Sequence, residues 1–341
     1  MKSNKITNIL GALALGAASL TGISAAQAQE RVATVNLEAM FDTTLGTEQR
    51  APRDFTAGYD SPFERHIAAI ADGQDGRIGV AAVDLASGQQ ISILGDQSFP
   101  MASTSKIAIA ATFMEGVEQG RWSLNSRFPL MIPVRSRAFS SDVAPVTRGQ
   151  SMAASELIEI MITRSSNPAT DALLAAVGGP AKVNDWARRA GLDGFNLTRD
   201  IATLVRDDGE IDPAKAVDIR DSATPATMTK LLAGLYQGRW LNASSRRVIL
   251  GAMERCRTGK RRIPALLPAS AQVKHKTGSL NNTSSDIGII HTPDGRAIAL
   301  AIYVTGQGSR PARESKIAEI AKAIYDGYTK PDGRNWVTAA Y

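Results

Sequence analysis

The stretch FPMASTSKIAIAATFM, residues 99–114, decides the fold because a strand ends there and a long apolar helix follows directly. Pro100 cannot continue a strand, and the residues after it keep helical spacing through the apolar run. Residues three apart share one face of a helix, so we expect the Ser103 hydroxyl and the Lys106 ammonium to point the same way. A lysine that is desolvated, or placed beside another cation, has a lowered pKa and becomes able to remove the proton of a serine. Taken alone, the same spacing also fits an ordinary helix start with a solvated lysine.

Composition limits the classes of protein that need to be considered. The chain has 341 residues, of which 43% are hydrophobic and 21% charged, enough for one large domain or two closely packed ones. Its formal net charge is +6, but the basic residues are scattered and aromatic residues make up only 5%, so no nucleic-acid partner is expected. The single Cys256 excludes an internal disulfide. Three histidines and one cysteine, none at ligand spacing, imply no metal, and no organic cofactor is indicated.

Residues 1–28 have the pattern of an export signal. Lys2 and Lys5 form a basic start, an apolar stretch covers 9–20, and small residues at 26–28 (AQA) form a cleavage site. Glycines and a serine interrupt the apolar stretch, which makes it a weak membrane anchor. We expect a periplasmic or secreted protein that is not inserted in the membrane after cleavage.

Strand-like segments lie at both ends of the remaining chain, and helices lie between them. An irregular arm is predicted over 29–60, followed by a catalytic domain over 61–341. The sheet part of that domain covers about 61–98 and 265–341, and the helical insertion covers about 99–264. Because the strands belong to hairpins, the sheet is expected to be antiparallel. The pattern predicts an α+β sandwich, with a five-stranded sheet flanked by helices and an inserted all-helical subdomain.

A second polar element, Arg164–Asn167, lies at the predicted junction of two helices. Such a junction places short polar side chains in a crevice, where Ser165 would relay a proton and Asn167 would bind an amide. The following Pro168 suggests a helix start with Asn167 as its N-cap. The alternative is that the two serines only fill a tight turn.

A third element, HKTGS at residues 275–279, lies at the end of an apolar strand. Lys276 offers a cation for a substrate carboxylate, and Thr277 and Ser279 add hydroxyls. Gly278 would let a ligand approach the strand edge closely. The alternative is a solvated turn.

Together and in this order, the three elements resemble the serine–lysine acyltransferase family that contains class A β-lactamases and penicillin-binding proteins. The resemblance runs from about Pro62 to Tyr328 and is strongest to the class A enzymes. Two further segments support it: APVT at 144–147, and RDSATP at 220–225, which is similar to the end of the family's omega loop. It implies a β-lactamase/transpeptidase-like fold and a monomer acting on a small β-lactam or a peptidoglycan-type peptide.

The resemblance also implies roles for the matched residues. Ser103 would be the acylated nucleophile, Lys106 its base and Ser165 the carrier of a proton to the departing nitrogen. The backbone N–H groups of Ser103 and Ser279 would form the oxyanion hole. The substrate-binding residues would be Asn167 for a side-chain amide and Lys276, Thr277, Gly278 and Ser279 around the carboxylate. Ser166 replaces the aspartate that is usual in the second motif, which removes a buried acid that normally supports the loop.

One part of the family pattern is missing. Class A β-lactamases carry Glu-x-x-Leu-Asn in the omega loop, and its glutamate activates the water that releases the acyl-enzyme; this chain has no such string. Counting back from Asp221 places Asp208 at the glutamate position. Counting forward from Gly191 gives a different register, which predicts an insertion within 193–205. Asp208, or Glu210 if the loop shifts, is therefore the candidate acid, and the alternative is an acidic turn in water.

Three functions follow from this reading. The first is a serine β-lactamase that hydrolyses the β-lactam amide through a Ser103 acyl-enzyme. The second is a penicillin-binding D,D-peptidase-like hydrolase of peptidoglycan peptides with slow deacylation, favoured by the missing glutamate. The third is a non-catalytic binder of β-lactams or wall fragments, which the presence of Ser103, Lys106 and Lys276 together disfavours.

Overall fold

A five-stranded antiparallel sheet organises the chain in the computed structural model, which describes residues 49–50 and 61–329. In chain order the strands of four or more residues are β1 Ile78–Asp84, β2 Gln90–Ile93, β3 Arg127–Pro133, β4 Val146–Ala153, β5 Gln272–Leu280, β6 Thr283–His291 and β7 Ala297–Thr305. The large sheet has the order β5–β6–β7–β1–β2, as the α+β prediction requires. The predicted signal peptide, all of the predicted arm except residues 49–50, and residues 330–341 lie outside the described residues.

Helices cover both faces of this sheet. They are α1 Pro62–Ile70, α2 Lys106–Glu118, α3 Ala154–Thr163, α4 Asn167–Val177, α5 Pro180–Arg189, α6 Ile201–Arg206, α7 Pro225–Gln237, α8 Ala243–Glu254 and α9 Arg310–Thr329. Short 3₁₀ turns cover Ala102–Ser105 and Ile263–Leu266. In the described ranges, no helix is long and apolar enough to cross a membrane.

The strand β7 shows how the sequence separates the two cores. All nine of its residues are buried, and successive side chains point to opposite faces of the sheet. Ala299, Ala301 and Tyr303 belong to the core shared with the helical insertion, whereas Ile302 and Val304 belong to the core under α1 and α9. The two alanines on one face therefore let the helical insertion pack closely against the middle of this strand.

The helix α2 lies at the centre of the helical insertion. Ten of its thirteen residues are buried, so it is apolar around most of its circumference. A helix of this kind is stable only when neighbours surround it. It contacts α3, α4, α5 and α8, and this packing fixes the position of the Ser103 turn that precedes it.

The prediction of an all-helical insertion is wrong, most clearly in the segment after α2. The proline-rich segment after α2 forms the antiparallel pair β3 and β4, with a register shift between Pro129 and Met131. Proline lacks a ladder donor, but it is tolerated at edge positions and bulges, and each strand of a two-stranded sheet is an edge. Pro133 ends β3, so the prolines shape this hairpin instead of preventing it.

Short strands connect the Ser103 turn to the loop that follows α6. Phe99–Pro100 pairs with Ser222–Ala223, and the Met101 N–H donates to the Asp221 carbonyl at 2.9 Å. Val217–Asp218 in the same loop pairs with Gln49–Arg50. The loop and the turn are therefore held as one unit.

The edge strand β5 packs against the Ser103 turn at Gly278. A methyl group on its Cα would lie 2.4 Å from the Ser285 hydroxyl and 2.8 Å from the Met101 carbonyl oxygen. Backbone atoms of the turn have no room to move away, so glycine is required here by packing.

We expect Gly278→Ala to lower the free energy of unfolding by about 1–3 kcal/mol, because the added methyl group overpacks this contact. The matched control is Gly251→Ala in α8, where the nearest atom to the new methyl would be the flexible Arg255 guanidinium at 3.4 Å. That change is expected to be neutral or to stabilise by up to about 1 kcal/mol. Urea denaturation measures both, and equal effects would contradict the packing argument.

Candidate active site

The Ser103 turn is a strained 3₁₀ turn that opens α2. Ala102 has φ +47°, a conformation that costs a non-glycine residue free energy and persists only when its surroundings enforce it. The Thr104 hydroxyl donates to the Met101 carbonyl at 2.7 Å, and the Ser105 hydroxyl donates to the Ala102 carbonyl at 2.8 Å. Two of the three hydroxyls in the turn thus hold its shape, and Ser103 carries the third.

Lys106 is fully buried at the first position of α2. Its Nζ donates to the Ser165 carbonyl at 2.8 Å, the Ser165 hydroxyl at 3.2 Å and Asn167 Oδ1 at 2.7 Å. Burial, together with the positive charge of Lys276, lowers the pKa of Lys106 well below its usual value. Lys106 is therefore the desolvated lysine beside a second cation that the sequence predicts.

The junction between α3 and α4 brings Ser165 to the two lysines. Ser165 has φ +58°, and its hydroxyl also accepts a hydrogen bond from Lys276 Nζ at 3.0 Å. Ser166, not Asn167, is the N-cap of α4, because its hydroxyl accepts from the Ala169 N–H. The prediction of Asn167 as the cap is wrong by one residue, and this leaves its side-chain oxygen available to Lys106.

The third motif lies within β5, which continues beyond it to Leu280, so it is part of a strand and not of a solvated turn. Lys276 is fully buried and also donates to the Thr277 carbonyl at 2.8 Å. Burial lowers the pKa of Lys276 to about 8. The Thr277 hydroxyl lies 2.7 Å from that of Thr258, which fixes its orientation.

Arg262 is a buried residue of this site that sequence reasoning missed. Its guanidinium donates to the Ser279 hydroxyl at 2.7 Å and to the Gly278 carbonyl at 2.8 Å, and it pairs with Glu314. Within the basic run of residues 260–262, nothing in the sequence distinguishes the one buried arginine from its exposed neighbours. Arg262 adds a positive charge directly behind the strand of the third motif.

Comparisons with known proteins agree with this geometry. The model of a family described as the β-lactamase enzyme family matches residues 62–328. The chain is 32% identical over 274 residues to β-lactamase CTX-M-8 of Citrobacter amalonaticus, covering 78% of this chain and 89% of that protein. It is 33% identical over 270 residues to β-lactamase CTX-M-25 of Escherichia coli, with the same coverage. The chain belongs to the β-lactamase enzyme family.

Solved structures of the family give the same fold. An ancestral class A β-lactamase superposes with a TM-score of 0.68 at 32% identity, over 78% of this chain and 99% of that one. A β-lactamase from Chitinophaga pinensis superposes with a TM-score of 0.68 at 25% identity and the same coverage. The predicted family and fold class are thus confirmed.

The loop that departs from the family's motif is closed by a buried ion pair. Arg199 Nε lies 2.6 Å from Asp221 Oδ2, and the backbone N–H groups of Thr198 and Arg199 donate to Asp221 Oδ1 at 2.7 and 3.0 Å. The helix α6 lies within this loop, next to Asp171 of α4. The insertion expected within 193–205 stays a prediction.

The structure does not bring Asp208 and Glu210 to the lysine pair. Both Asp208 oxygens accept the Asn281 N–H, at 2.9 and 3.0 Å, and burial raises the pKa of its carboxyl. The two acids line a small cavity of about 60 Å³ between the loop and the end of β5. Asn167 lines a different cavity, of about 240 Å³, together with α6.

A buried pair of side chains, His275 and Asp286, links β5 to the neighbouring strand β6. His275 Nδ1 lies 2.9 Å from Asp286 Oδ2 of β6. Burial alone would lower the pKa of His275, but the charge of Asp286 and hydrogen bonds to Asp286 and Cys256 raise it to about 10. The Asp286 carboxylate therefore favours the charged form of His275, which lies next to Lys276 in sequence.

We expect Asp221→Asn to destabilise the protein by about 2 kcal/mol, because it removes the 2.6 Å ion pair with Arg199 and leaves that guanidinium only its longer contact to Asp207, at 3.5 Å. The matched control is Asp218→Asn, whose carboxylate pairs with Arg220 in a more exposed position and should cost less than about 1 kcal/mol. Urea denaturation reports stability, and limited proteolysis reports cleavage within 199–221. The same behaviour in both variants would contradict a closing role for Asp221.

Proposed function

We propose that the protein is a serine β-lactamase that opens the β-lactam amide through an acyl-enzyme on Ser103. One observation carries the proposal: two buried lysines, Lys106 and Lys276, converge on the Ser165 hydroxyl beside the Ser103 turn. Family membership and identity to named β-lactamases support the same substrate class.

Acylation begins with proton removal from Ser103. Because desolvation and the positive charge of Lys276 lower the pKa of Lys106 well below its usual value, its side chain can act as a neutral amine that takes the proton. The Ser103 oxygen then attacks the lactam carbonyl, and the backbone N–H groups of Ser103 and Ser279 would stabilise the oxyanion. Ser165, within hydrogen-bond distance of both lysines, passes a proton to the departing nitrogen.

Substrate binding is assigned to β5 and α4. Lys276 and Thr277 would hold the carboxylate of the β-lactam, with Arg262 adding positive charge from behind. Gly278 keeps the strand edge open, and Asn167 would bind the side-chain amide. Export to the periplasm belongs to the same proposal and is supported by the signal-like pattern of residues 1–28. That the protein acts as a monomer is proposed from the family resemblance alone.

A D,D-peptidase-like hydrolase acting on peptidoglycan peptides is the second candidate. It is favoured by the position of Asp208 and Glu210, which line a cavity apart from the lysine pair. Such an enzyme would be acylated by penicillin and would release it slowly.

The test is the intact mass of the purified protein after mixing with a penicillin. We expect an adduct of one drug molecule that appears and clears within seconds while the drug is consumed, and no adduct on Ser103→Ala. An adduct that persists for hours would favour the second candidate. No adduct at all would contradict the nucleophile assignment.

We also expect Lys276→Ala to raise KM about 10- to 100-fold, because a charge-assisted hydrogen bond to the substrate carboxylate is lost. The matched control is Lys274→Ala on the same strand, because Lys274 pairs with Glu254 at the surface and should leave KM within about twofold. Steady-state hydrolysis of a chromogenic β-lactam measures both. An unchanged KM for Lys276→Ala would contradict the carboxylate assignment.

A further inference from the structure

Asp171 is a buried acid of the active-site region that none of the three motifs contains. It lies on α4 four residues after Asn167, and therefore one turn further along the same helix face. Only 5% of the surface of Asp171 is exposed to solvent. Asp171 and Asn167 together line the cavity of about 240 Å³ beside α6. The cavity is lined mainly by apolar groups, but it has room for ordered water, and Ser136, Arg135 and Arg206 add polar groups to its lining.

The carboxylate of Asp171 is held in a fixed orientation. Oδ1 accepts the Ile201 N–H at 2.7 Å, and Oδ2 accepts the Ala202 N–H at 2.9 Å. Each carboxylate oxygen has capacity for a second hydrogen bond, so both backbone contacts leave Asp171 able to accept from a water molecule in the cavity.

The electrostatic setting suits a base that works near neutral pH. Burial and the charge of Asp200 raise the pKa of Asp171, and the two N–H groups and the charge of Lys106 lower it, with a balance of about 7. A general base is most effective when its pKa lies near the working pH.

The other candidate acids are placed elsewhere. Asp208 is bound to the Asn281 N–H, and it shares the small cavity with Glu210. Among the described residues that line the cavity with Asn167, Asp171 carries the one carboxylate. The missing glutamate of the loop is thus matched by an acid on the neighbouring helix.

We infer that Asp171 is the general base that activates water to release the Ser103 acyl-enzyme, an inference that rests on the proposed function. Asp171 takes a proton from the water as the water oxygen bonds to the ester carbon, which forms a tetrahedral intermediate. The bond from that carbon to the Ser103 oxygen then breaks. The proton held by Asp171 returns through the Lys106 amine to the Ser103 oxygen, and the opened product leaves as a carboxylic acid.

The experiment separates acylation from deacylation by rapid-quench mass spectrometry of the full chain with a penicillin. For Asp171→Asn we expect acylation within about threefold of the parent and deacylation slowed about 10²- to 10⁴-fold, so that the acyl-enzyme accumulates. The matched control is Asp185→Asn on the surface of α5, which should change neither rate. Asp208→Asn and Glu210→Gln test the competing acids.

The pH profile and chemical rescue distinguish a base from a purely structural residue. A base acts as the carboxylate, so deacylation by the parent should fall as the pH drops through about 7, and this dependence should be absent in Asp171→Asn. Formate should restore deacylation to Asp171→Ala by at least tenfold, because it supplies a carboxylate to the cavity.

Several outcomes would overturn the inference. They are unchanged deacylation in Asp171→Asn, loss of deacylation in Asp208→Asn or Glu210→Gln instead, and equal loss of acylation and deacylation without formate rescue. If the parent clears its acyl-enzyme and Asp171→Asn clears it equally fast, only the role of Asp171 fails. If the parent forms an acyl-enzyme that never clears, the nucleophile assignment stands, but the role of Asp171 fails and the D,D-peptidase-like candidate is favoured. If the parent forms no adduct, the proposed function fails and the inference fails with it.

Discussion

The rest of the site depends on the burial of two lysine ammonium groups around one serine hydroxyl. Lys106 and Lys276 are both fully buried, and each lies within 3.2 Å of the Ser165 oxygen. Removing two like charges from water is unfavourable, and their mutual repulsion adds to the cost, so the pKa of each amine falls below its usual value. The fold maintains this unfavourable arrangement by holding Lys106, Ser165 and Lys276 on separate rigid elements. These are the turn at the start of α2, the junction of α3 and α4, and the edge strand β5.

Strain and close packing occur where those elements meet. Ala102 and Ser165 both have positive φ values, and Gly278 has no space for a side chain against the Met101 carbonyl. Such features are retained only when the surrounding structure enforces them. Here the apolar helix α2 and the central strand β7 supply that enforcement. The loop closed by Arg199 and Asp221 differs in sequence from the family's omega loop motif. It is nevertheless tied to the Ser103 turn through the Met101 N–H.

The parts that the sequence predicted are those encoded locally. The hairpin of β1 and β2 and the strands β5 to β7, at the two ends of the domain, follow from short-range periodicity and turn residues. The contacts that it missed are long-range. Arg262 looks like its basic neighbours, and Asp171 looks like any polar residue in a helix until α6 is seen to pack against it. The strands β3 and β4 were not predicted because their segment contains prolines, which a sheet tolerates only at edge positions and bulges.

The pKa of Lys106 tests the central claim most directly. We would follow the side-chain NMR signals of selectively labelled lysine during a pH titration, with Lys106→Arg used to assign the signal. We expect Lys106 to titrate well below the ordinary lysine value of about 10.4, and its pKa to rise in Lys276→Met because a neighbouring positive charge is removed. An ordinary pKa for Lys106, unchanged in Lys276→Met, would contradict the coupling of the two lysines and the serine activation that follows from it.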